Sequence, residues 1–173
     1  DRQPPLMKPG GIPADLDPGT VTHAEAFAVQ PFSNIVTTKT LTGAQLKVVL
    51  EQQFSVNSVA SPGTVGTTAR SAPTILQVSA GFSYTWTASA PLGSKVSDMT
   101  LNGAPIDPAA SYRVTMNNFI GAGGDDFPAL TLGTNEQTGL DDLVALEAFL
   151  GANNPYTPAD LSVEANQRIH TAP

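Results

Sequence analysis

Two helix-start motifs with a strand-like run between them constrain the fold of this chain more than any other feature. Thr22-x-x-Glu25 and Thr42-x-x-Gln45 are capping boxes. In a capping box the threonine side-chain oxygen accepts a hydrogen bond from the backbone amide three residues later. The Glu or Gln side chain of that later residue accepts one from the threonine amide. Between them, Ile35–Leu41 is rich in strand-forming residues. We therefore predict a helix, a strand and a second helix in succession, which favours a mixed fold.

The apolar spacing indicates which faces of these two helices are buried. The second helix is expected to run to about Phe54, and its apolar residues recur at the period of one helical face. They are Leu46, Val49, Leu50 and Phe54. The first helix is expected to end at Pro31, because proline cannot continue a helix. Its buried candidates are Ala26, Phe27 and Val29.

Further strands follow in the middle of the chain. Alternating apolar and polar residues predict strands over Phe82–Thr87 and Tyr112–Asn118. Asn102-Gly103, after the apolar-rich run Val96–Leu101, is a strong signal for a hairpin turn. These segments predict an antiparallel component in the sheet.

The last third of the chain predicts one more helix. Thr138 is the expected N-cap of a helix to about Leu150, with Asp141 and Asp142 complementing the helix dipole in its first turn. Gly151 is expected just past its end. The expected buried face consists of Leu140, Leu143, Val144 and Leu146. In the tail, Leu161–Val163 alternates in polarity, and the rest up to Pro173 is expected to fray.

The order of elements predicts one α+β (mixed α/β) domain over residues 1–173, with helices packed on a mixed β-sheet. A chain of 173 residues can bury a core without disulfides or a structural metal. Within the domain, residues 55–74 are rich in Ser, Thr, Gly and Pro and are expected to form a surface loop. The chain does not begin with Met, so we expect it to be a mature or excised piece of a longer protein.

Charge and cysteine content exclude several classes of function. With 15 acidic against 8 basic residues and a net charge of −7, the chain is a poor partner for DNA or RNA. No cysteine is present, which excludes thiolate zinc sites and catalytic thiols. No apolar run approaches the roughly 18 residues of a membrane span. Low charge (13%) and a Ser- and Thr-rich surface suggest a secreted or cell-surface bacterial protein.

The residues that could carry chemistry leave two interpretations open. The sequence has only two histidines, His23 and His170, and no Gly-x-Ser-x-Gly motif, so no catalytic residue and no metal site is predicted. Asp125-Asp126, after Gly123-Gly124, forms either a tight turn with capping aspartates or a ligand-binding loop. Phe32 and Phe119, aromatic residues at a helix–strand junction and beside a glycine-rich loop, either fill the core or face a planar ligand.

Five segments of the chain form an ordered set of motifs. They are Pro9-Gly10-Gly11-Ile12, Val29-Gln30-Pro31-Phe32-Ser33-Asn34, Leu41-Thr42-Gly43-Ala44-Gln45-Leu46, Leu76-Gln77-Val78-Ser79 and Asn118-Phe119-Ile120-Gly121-Ala122-Gly123-Gly124-Asp125. In this order, and from about Met7 to Ile169, the chain resembles the C-terminal domain of the secreted 5′-nucleotidase, UDP-sugar hydrolase and 2′,3′-cyclic phosphodiesterase family.

The resemblance implies a role for each matching residue. It implies that Phe32 and Phe119 sandwich a nucleobase and that Asp125 binds the ribose hydroxyls. Base stacking on aromatic rings and charge-assisted bonds to a diol are suited to that task. The full substrate-binding set that it implies is Gly10, Gly11, Phe32, Asn118, Phe119, Gly123, Gly124 and Asp125.

The resemblance also implies that this chain is the recognition half of a two-domain hydrolase. An N-terminal metallophosphatase domain, its partner in the parent chain, would hold two divalent metal ions and the catalytic residues. This chain alone would need no cofactor and show no phosphatase activity.

Three positions depart from the family pattern. Lys8 stands where the family has asparagine, Pro13 where it has arginine, and Asp126 where it has glycine. Lys8 is a candidate cation for the phosphate side. The alternative function is a degenerate, non-catalytic surface binding module that has lost nucleotide selectivity.

Overall fold

The computed structural model describes residues 6–8, 10–158 and 167–172. The helices are α1 (His23–Val29), α2 (Gly43–Glu51), α3 (Asn118–Gly121) and α4 (Asp142–Ala152). The strands are β1 (Leu6–Met7), β2 (Ile35–Thr42), β3 (Ser55–Val56), β4 (Thr68–Ala69), β5 (Gln77–Val78), β6 (Phe82–Thr87), β7 (Val96–Leu101), β8 (Ala104–Pro105), β9 (Ser111–Asn117), β10 (Thr134–Asp141) and β11 (Ile169–Ala172). Short 3-10 turns cover Gln52–Phe54, Gly124–Asp126 and Pro128–Leu132.

Two larger sheets and two short strand pairs make up the β structure. In the first sheet β2 lies between β10 and β9, and both pairings are antiparallel. The second sheet has the order β11-β6-β7-β8, and β11 joins β6 in parallel. β1 pairs with β5 and β3 with β4. Helix α2 contacts β2 and β7, so it links the two larger sheets. The predicted α+β (mixed α/β) class is confirmed.

The two capping boxes form as predicted. Thr22 accepts from the Glu25 amide at 3.3 Å, and Glu25 accepts from the Thr22 amide at 2.6 Å. Thr42 and Gln45 repeat this arrangement at 3.1 and 2.8 Å. The predicted buried face of α2 is confirmed too, because Leu46, Val49 and Leu50 are fully buried and Phe54 nearly so.

The predicted hairpin is confirmed. Asn102 and Gly103 take φ angles of 53° and 78° between β7 and β8, the left-handed pair that a tight hairpin turn requires.

The predicted burial of Phe27 on α1 was wrong, because its side chain is 49% exposed. Ala26 and Val29 occupy the buried face of α1, and a residue directly after Ala26 points about 100° away from it.

The final helix begins later than predicted. Residues from Thr134 to Asp141 form β10 against β2, and Thr138 pairs with Thr37 instead of capping a helix. Asp141 is the true N-cap, accepting from the Leu143 amide at 3.0 Å. The strand forms because β2 would otherwise have unpaired backbone groups along one edge. The capping pattern at Thr138 was therefore outweighed by long-range pairing.

The predicted buried face of this helix was also wrong. Leu140 is 57% and Val144 47% exposed, whereas Leu143 and Leu146 are partly buried. Gly151 lies inside α4 rather than past its end. Ile169–Ala172 forms β11 where fraying was expected. The segment Leu161–Val163 lies outside the described residues. Among the described helices, none has the length and apolar character that crossing a membrane requires.

Candidate functional site

The start of β2 and the end of β9 meet at one edge of the first sheet. These strands are antiparallel, and Val36 pairs with Asn117. Phe32 lies in the turn that leads into β2, and Phe119 lies in α3, which directly follows β9. The pairing therefore brings both phenylalanines to the same edge, although they are far apart along the chain. We call these two residues the aromatic wall.

The aromatic wall is exposed to solvent. Phe32 is 54% and Phe119 46% exposed, whereas Phe54, Phe82 and Phe127 are buried in the core. No ring contact joins Phe32 to Phe119 among the described side chains. Of the two interpretations left open by the sequence, core filling does not describe these rings. They are available to a ligand, and their predicted role in stacking stays a prediction.

Two asparagine side chains accept hydrogen bonds from backbone amides next to the aromatic wall. Asn117 caps α3 by accepting from the Ile120 amide at 3.0 Å. Asn118 accepts from the Ile35 amide at 2.8 Å, across to the start of β2. The sequence predicted a loop here, and the single helical turn of α3 was missed. The side-chain oxygen of Asn118 is thus used to join the two segments that carry Phe32 and Phe119.

A strained turn lies next to Phe119. It consists of residues 123–126 and is called the acidic turn below. Gly123 has a φ of 90°, and both Asp125 and Asp126 are left-handed, at 53° and 64°. A left-handed residue other than glycine costs about 1–2 kcal/mol, less for aspartate than for most. A Cβ on Gly124 would lie 2.6 Å from Cε1 of Phe119, so only glycine permits the observed approach.

Lys8 completes this side of the site. Its ammonium group forms an ion pair with the Asp125 carboxylate and lies 5.0 Å from the centroid of the Phe119 ring. The Gly11 amide donates to the Lys8 carbonyl at 3.1 Å, and Gly10 has a φ of 76° in this turn. The structure thus brings Lys8 and its glycine turn together with Phe119 and Asp125. Lys8 was expected on the phosphate side, and that role is untested.

Arg70 is a residue of this region that the sequence did not identify as part of the site. Its guanidinium donates to the Asp125 carbonyl at 3.0 Å and lies 3.5 Å from the Asp126 carboxylate. With Pro73 and Thr74 it lines an open cavity of about 540 Å³ beside the acidic turn. The one available signal was that Arg70 is the single charged residue in segment 55–74. That segment contains the β3–β4 pair.

The second pair of carboxylates lies elsewhere. Asp142 is 6% exposed at the start of α4, and its amide donates to the Asn34 carbonyl at 2.8 Å. Burial raises the pKa of Asp142, and the Asn34 side chain lowers it to a smaller extent. Among the described residues, none makes a hydrogen bond of normal geometry to its carboxylate oxygens. The described residues also include no group of three or more His, Asp or Glu side chains that could hold a metal ion.

Comparison with known proteins gives a consistent result. The family model described as "5′-nucleotidase, C-terminal domain" matches residues 5–132, a range that contains every predicted site residue. The trifunctional nucleotide phosphoesterase protein YfkN of Bacillus subtilis is 36% identical over 127 residues, which is 70% of this chain and 8% of YfkN. A 5′-nucleotidase of Vibrio vulnificus is 32% identical over 152 residues, 87% of this chain and 24% of that protein.

A solved structure shows the same fold. The 5′-nucleotidase precursor from Thermus thermophilus superimposes with a TM-score of 0.76 at 29% identity, covering 98% of this chain and 31% of that one. This chain therefore spans less than a quarter of the two curated relatives and under a third of the solved one.

Proposed function

This chain belongs to the 5′-nucleotidase C-terminal domain family, and from that premise we propose that it is the substrate-recognition domain of a nucleotide hydrolase. Phe32 and Phe119 stack a nucleobase between them, and Asp125 accepts hydrogen bonds from the ribose hydroxyls. The phosphate ester is hydrolysed on a preceding domain of the parent protein, which holds two divalent metal ions.

One observation carries the proposal: two exposed phenylalanines lie at one sheet edge, and a carboxylate lies on the turn that touches one of them. A nucleoside has a flat base and a vicinal diol, and these need an aromatic face and a hydrogen-bond acceptor side by side. Stacking on an aromatic ring contributes about 1–3 kcal/mol per base. Rings that are about half exposed add little to the hydrophobic core, so a ligand best explains their position.

The chain's part in the reaction is orientation. By holding the base and ribose, it positions the phosphate ester for groups on the other domain, which converts an encounter in solution into a local reaction. No catalytic step is assigned to this chain, because the proposed function places hydrolysis on the other domain. An extracellular or cell-surface location stays a prediction from composition.

Isothermal titration calorimetry with adenosine, AMP and UDP-glucose tests the proposal. We expect binding in the micromolar to millimolar range, and Phe32→Ala and Phe119→Ala should each weaken it by about 1–3 kcal/mol. Phe149→Ala is the matched control, because Phe149 is also half-exposed (47%) but lies on α4, outside the range that the family model matches. The control should bind like wild type. Absence of heat with all three ligands would favour a surface binding module without nucleotide selectivity.

A second assay separates recognition from catalysis. The chain is incubated with AMP and a divalent metal, and released phosphate is measured. We expect no release above background, since the catalytic groups belong to another domain. Clear turnover would show that the catalytic centre lies within this chain.

A further inference from the structure

The Arg70 guanidinium bonds within segment 55–74 through two of its nitrogens and reaches the acidic turn through the third. Nε donates to the Ser55 carbonyl at 2.9 Å, and Nη1 lies 3.4 Å from Oγ1 of Thr74. Nη2 donates to the Asp125 carbonyl at 3.0 Å. The Arg70 side chain is only 16% exposed. Most of the side chain is therefore packed against protein, and it joins two segments that are distant in the chain.

The segment that carries Arg70 is firmly anchored. The Arg70 amide donates to the Phe54 carbonyl at 3.0 Å, at the end of the α2 region. Gln52, which is fully buried, donates from its side chain to the Pro62 and Thr64 carbonyls at 3.1 and 2.7 Å. Its side-chain oxygen accepts from the Ala129 amide at 3.1 Å. Arg70 thus projects from a base that is fixed to the core.

The acidic turn needs support of this kind. Asp125 and Asp126 both have positive φ angles, a conformation that is uncommon for residues with a side chain. Arg70 holds the Asp125 carbonyl, and Nδ2 of Asn57 donates to the Asp126 carbonyl at 2.8 Å. Segment 55–74 therefore binds two successive carbonyls of the turn. We call Arg70 and Asn57 the brace.

We propose that Arg70 is a positioning residue that fixes the backbone of Asp125 and thereby sets how strongly the site selects a ligand with a vicinal diol. The carbonyl that Arg70 holds belongs to the same residue as the carboxylate that the proposed function assigns to the diol. If the backbone of Asp125 were free to leave the left-handed region, its carboxylate would move away from the diol. This inference rests on the proposed function, since it assigns the diol to Asp125.

The chemistry of arginine suits this role better than that of lysine. The guanidinium is planar and presents several N–H donors in fixed directions, so it can bond Ser55, Thr74 and Asp125 at once. A lysine ammonium has the same charge but lacks that fork. Arg70→Lys therefore keeps the charge beside the two aspartates and removes the geometry.

Titration calorimetry with AMP and 2′,3′-dideoxy-AMP separates positioning from stability. In wild type, loss of the diol should weaken binding about tenfold or more, as expected for hydrogen bonds to a charged group. In Arg70→Lys, this ratio should fall to about twofold, with dideoxy-AMP affinity unchanged, because only the diol contact has been misplaced. A general structural defect would weaken both ligands alike and leave the ratio intact.

Arg113→Lys is the matched control. Arg113 also donates to a carbonyl and a side chain, those of Asn135 and Gln137 at 2.6 and 2.7 Å, but it joins β9 to β10 away from the acidic turn. This variant should keep the wild-type ratio. Circular dichroism and thermal melting establish that each variant is folded before it is titrated.

Each outcome decides the proposal. If Arg70→Lys keeps the full wild-type ratio, Arg70 does not position Asp125 and the inference is wrong, while the proposed function stands. If wild type binds AMP but does not distinguish the dideoxy ligand, the assignment of the diol to Asp125 fails, and the inference with it. If wild type binds neither, the proposed function itself fails. If Arg70→Lys does not fold, Arg70→Gln replaces it, and failure of both to fold would make Arg70 a folding residue instead.

Discussion

The aromatic wall and the acidic turn, which touch at Phe119 and Gly124, are held in opposite ways. Phe32 and Phe119 are about half exposed, and the side chains of Asn117 and Asn118 accept hydrogen bonds from the nearby Ile120 and Ile35 amides. Asp125 is connected to the core through the brace and to Lys8 through an ion pair. The hydrogen bonds at the aromatic wall are thus to neighbouring backbone, whereas Asp125 itself is bonded through both its carbonyl and its carboxylate.

This difference follows from the kind of ligand contact that each half would make. Stacking tolerates small shifts of a ring, because any part of a flat face can be covered. A hydrogen bond to a diol depends on distance and direction. We therefore expect substitutions in the aromatic wall to change binding alone, and substitutions around the acidic turn to change binding together with stability.

Among the substitutions that test this difference between the aromatic wall and the acidic turn, Phe127→Ala should have the largest effect. Phe127 directly follows the acidic turn and is fully buried, and the Arg70 guanidinium lies 5.8 Å from its ring. Its removal leaves a cavity and should lower the free energy of unfolding by about 3–5 kcal/mol. Urea denaturation measures this value. A loss below about 1 kcal/mol would show that the turn is not anchored to the core through Phe127.

Phe119→Ala should show the reverse behaviour. It removes a ring that is 46% exposed, so the stability should change little. AMP binding should weaken by about 1–3 kcal/mol, the contribution of one stacked base. Calorimetry and thermal melting on the same preparation give both values. A large drop in melting temperature with unchanged affinity would assign Phe119 to the core and contradict the distinction between the two halves.

Asp125→Asn tests the polar half at intermediate strength. Asparagine keeps the size and tolerates the left-handed backbone, but it loses the charge that favours the ribose hydroxyls. AMP affinity should fall by about 1–2 kcal/mol, and affinity for the dideoxy ligand should stay the same. Loss of the partly exposed ion pair with Lys8 should cost stability no more than about 1 kcal/mol. Equal weakening for both ligands would place the diol elsewhere.

Asp142→Asn should have the smallest effect. Asp142 adjoins the turn that carries Phe32, because its amide donates to the Asn34 carbonyl. Burial raises the pKa of Asp142 above its ordinary value of 3.8, so the unfolded chain ionises first as the pH rises and folding is penalised at neutral pH. The variant should therefore be slightly more stable than wild type at pH 7. This advantage should shrink as the pH falls and disappear below about 3.8, where the carboxyl is protonated in both the folded and the unfolded chain.

Chemical denaturation at several pH values measures that prediction. A constant difference between the two proteins across the range would mean that the ionisation of Asp142 is not linked to folding. Glu25 is a useful contrast within the same chain, because hydrogen bonds from Thr22 lower its pKa and its ionised form supports the cap of α1.

Local patterns predicted the longer helices and strands that precede residue 130. The two capping boxes, the buried face of α2, the alternation of β6 and the Asn102-Gly103 turn are all present. In each case the pattern that allowed the prediction lies within a short stretch of the chain. Predictions failed where a distant partner decided: Thr138 belongs to β10 because β2 has a free edge there, and Ile169–Ala172 is a strand because β6 is beside it.

In the candidate site, too, residues with a local pattern were identified from the sequence, and a residue that depends on long-range contacts was not. Phe32, Phe119 and Asp125 stood out as residues on loops near glycines, and the family resemblance assigned them roles. Arg70 did not stand out, because one arginine in a polar loop has no pattern. Its contacts with Asp125 and Asp126 depend on where segment 55–74 is anchored by Gln52.

The sequence by itself determined a mixed fold with two capped helices, a chemistry without thiols and, through its motifs, membership of the family. These features depend on local hydrogen bonds, residue period and composition, all of which can be read along the chain. Only the tertiary structure decided that Phe32 and Phe119 share an edge and that Arg70 holds the backbone of Asp125. The reason is that both depend on strand register and on packing between segments far apart in sequence, which no local pattern specifies.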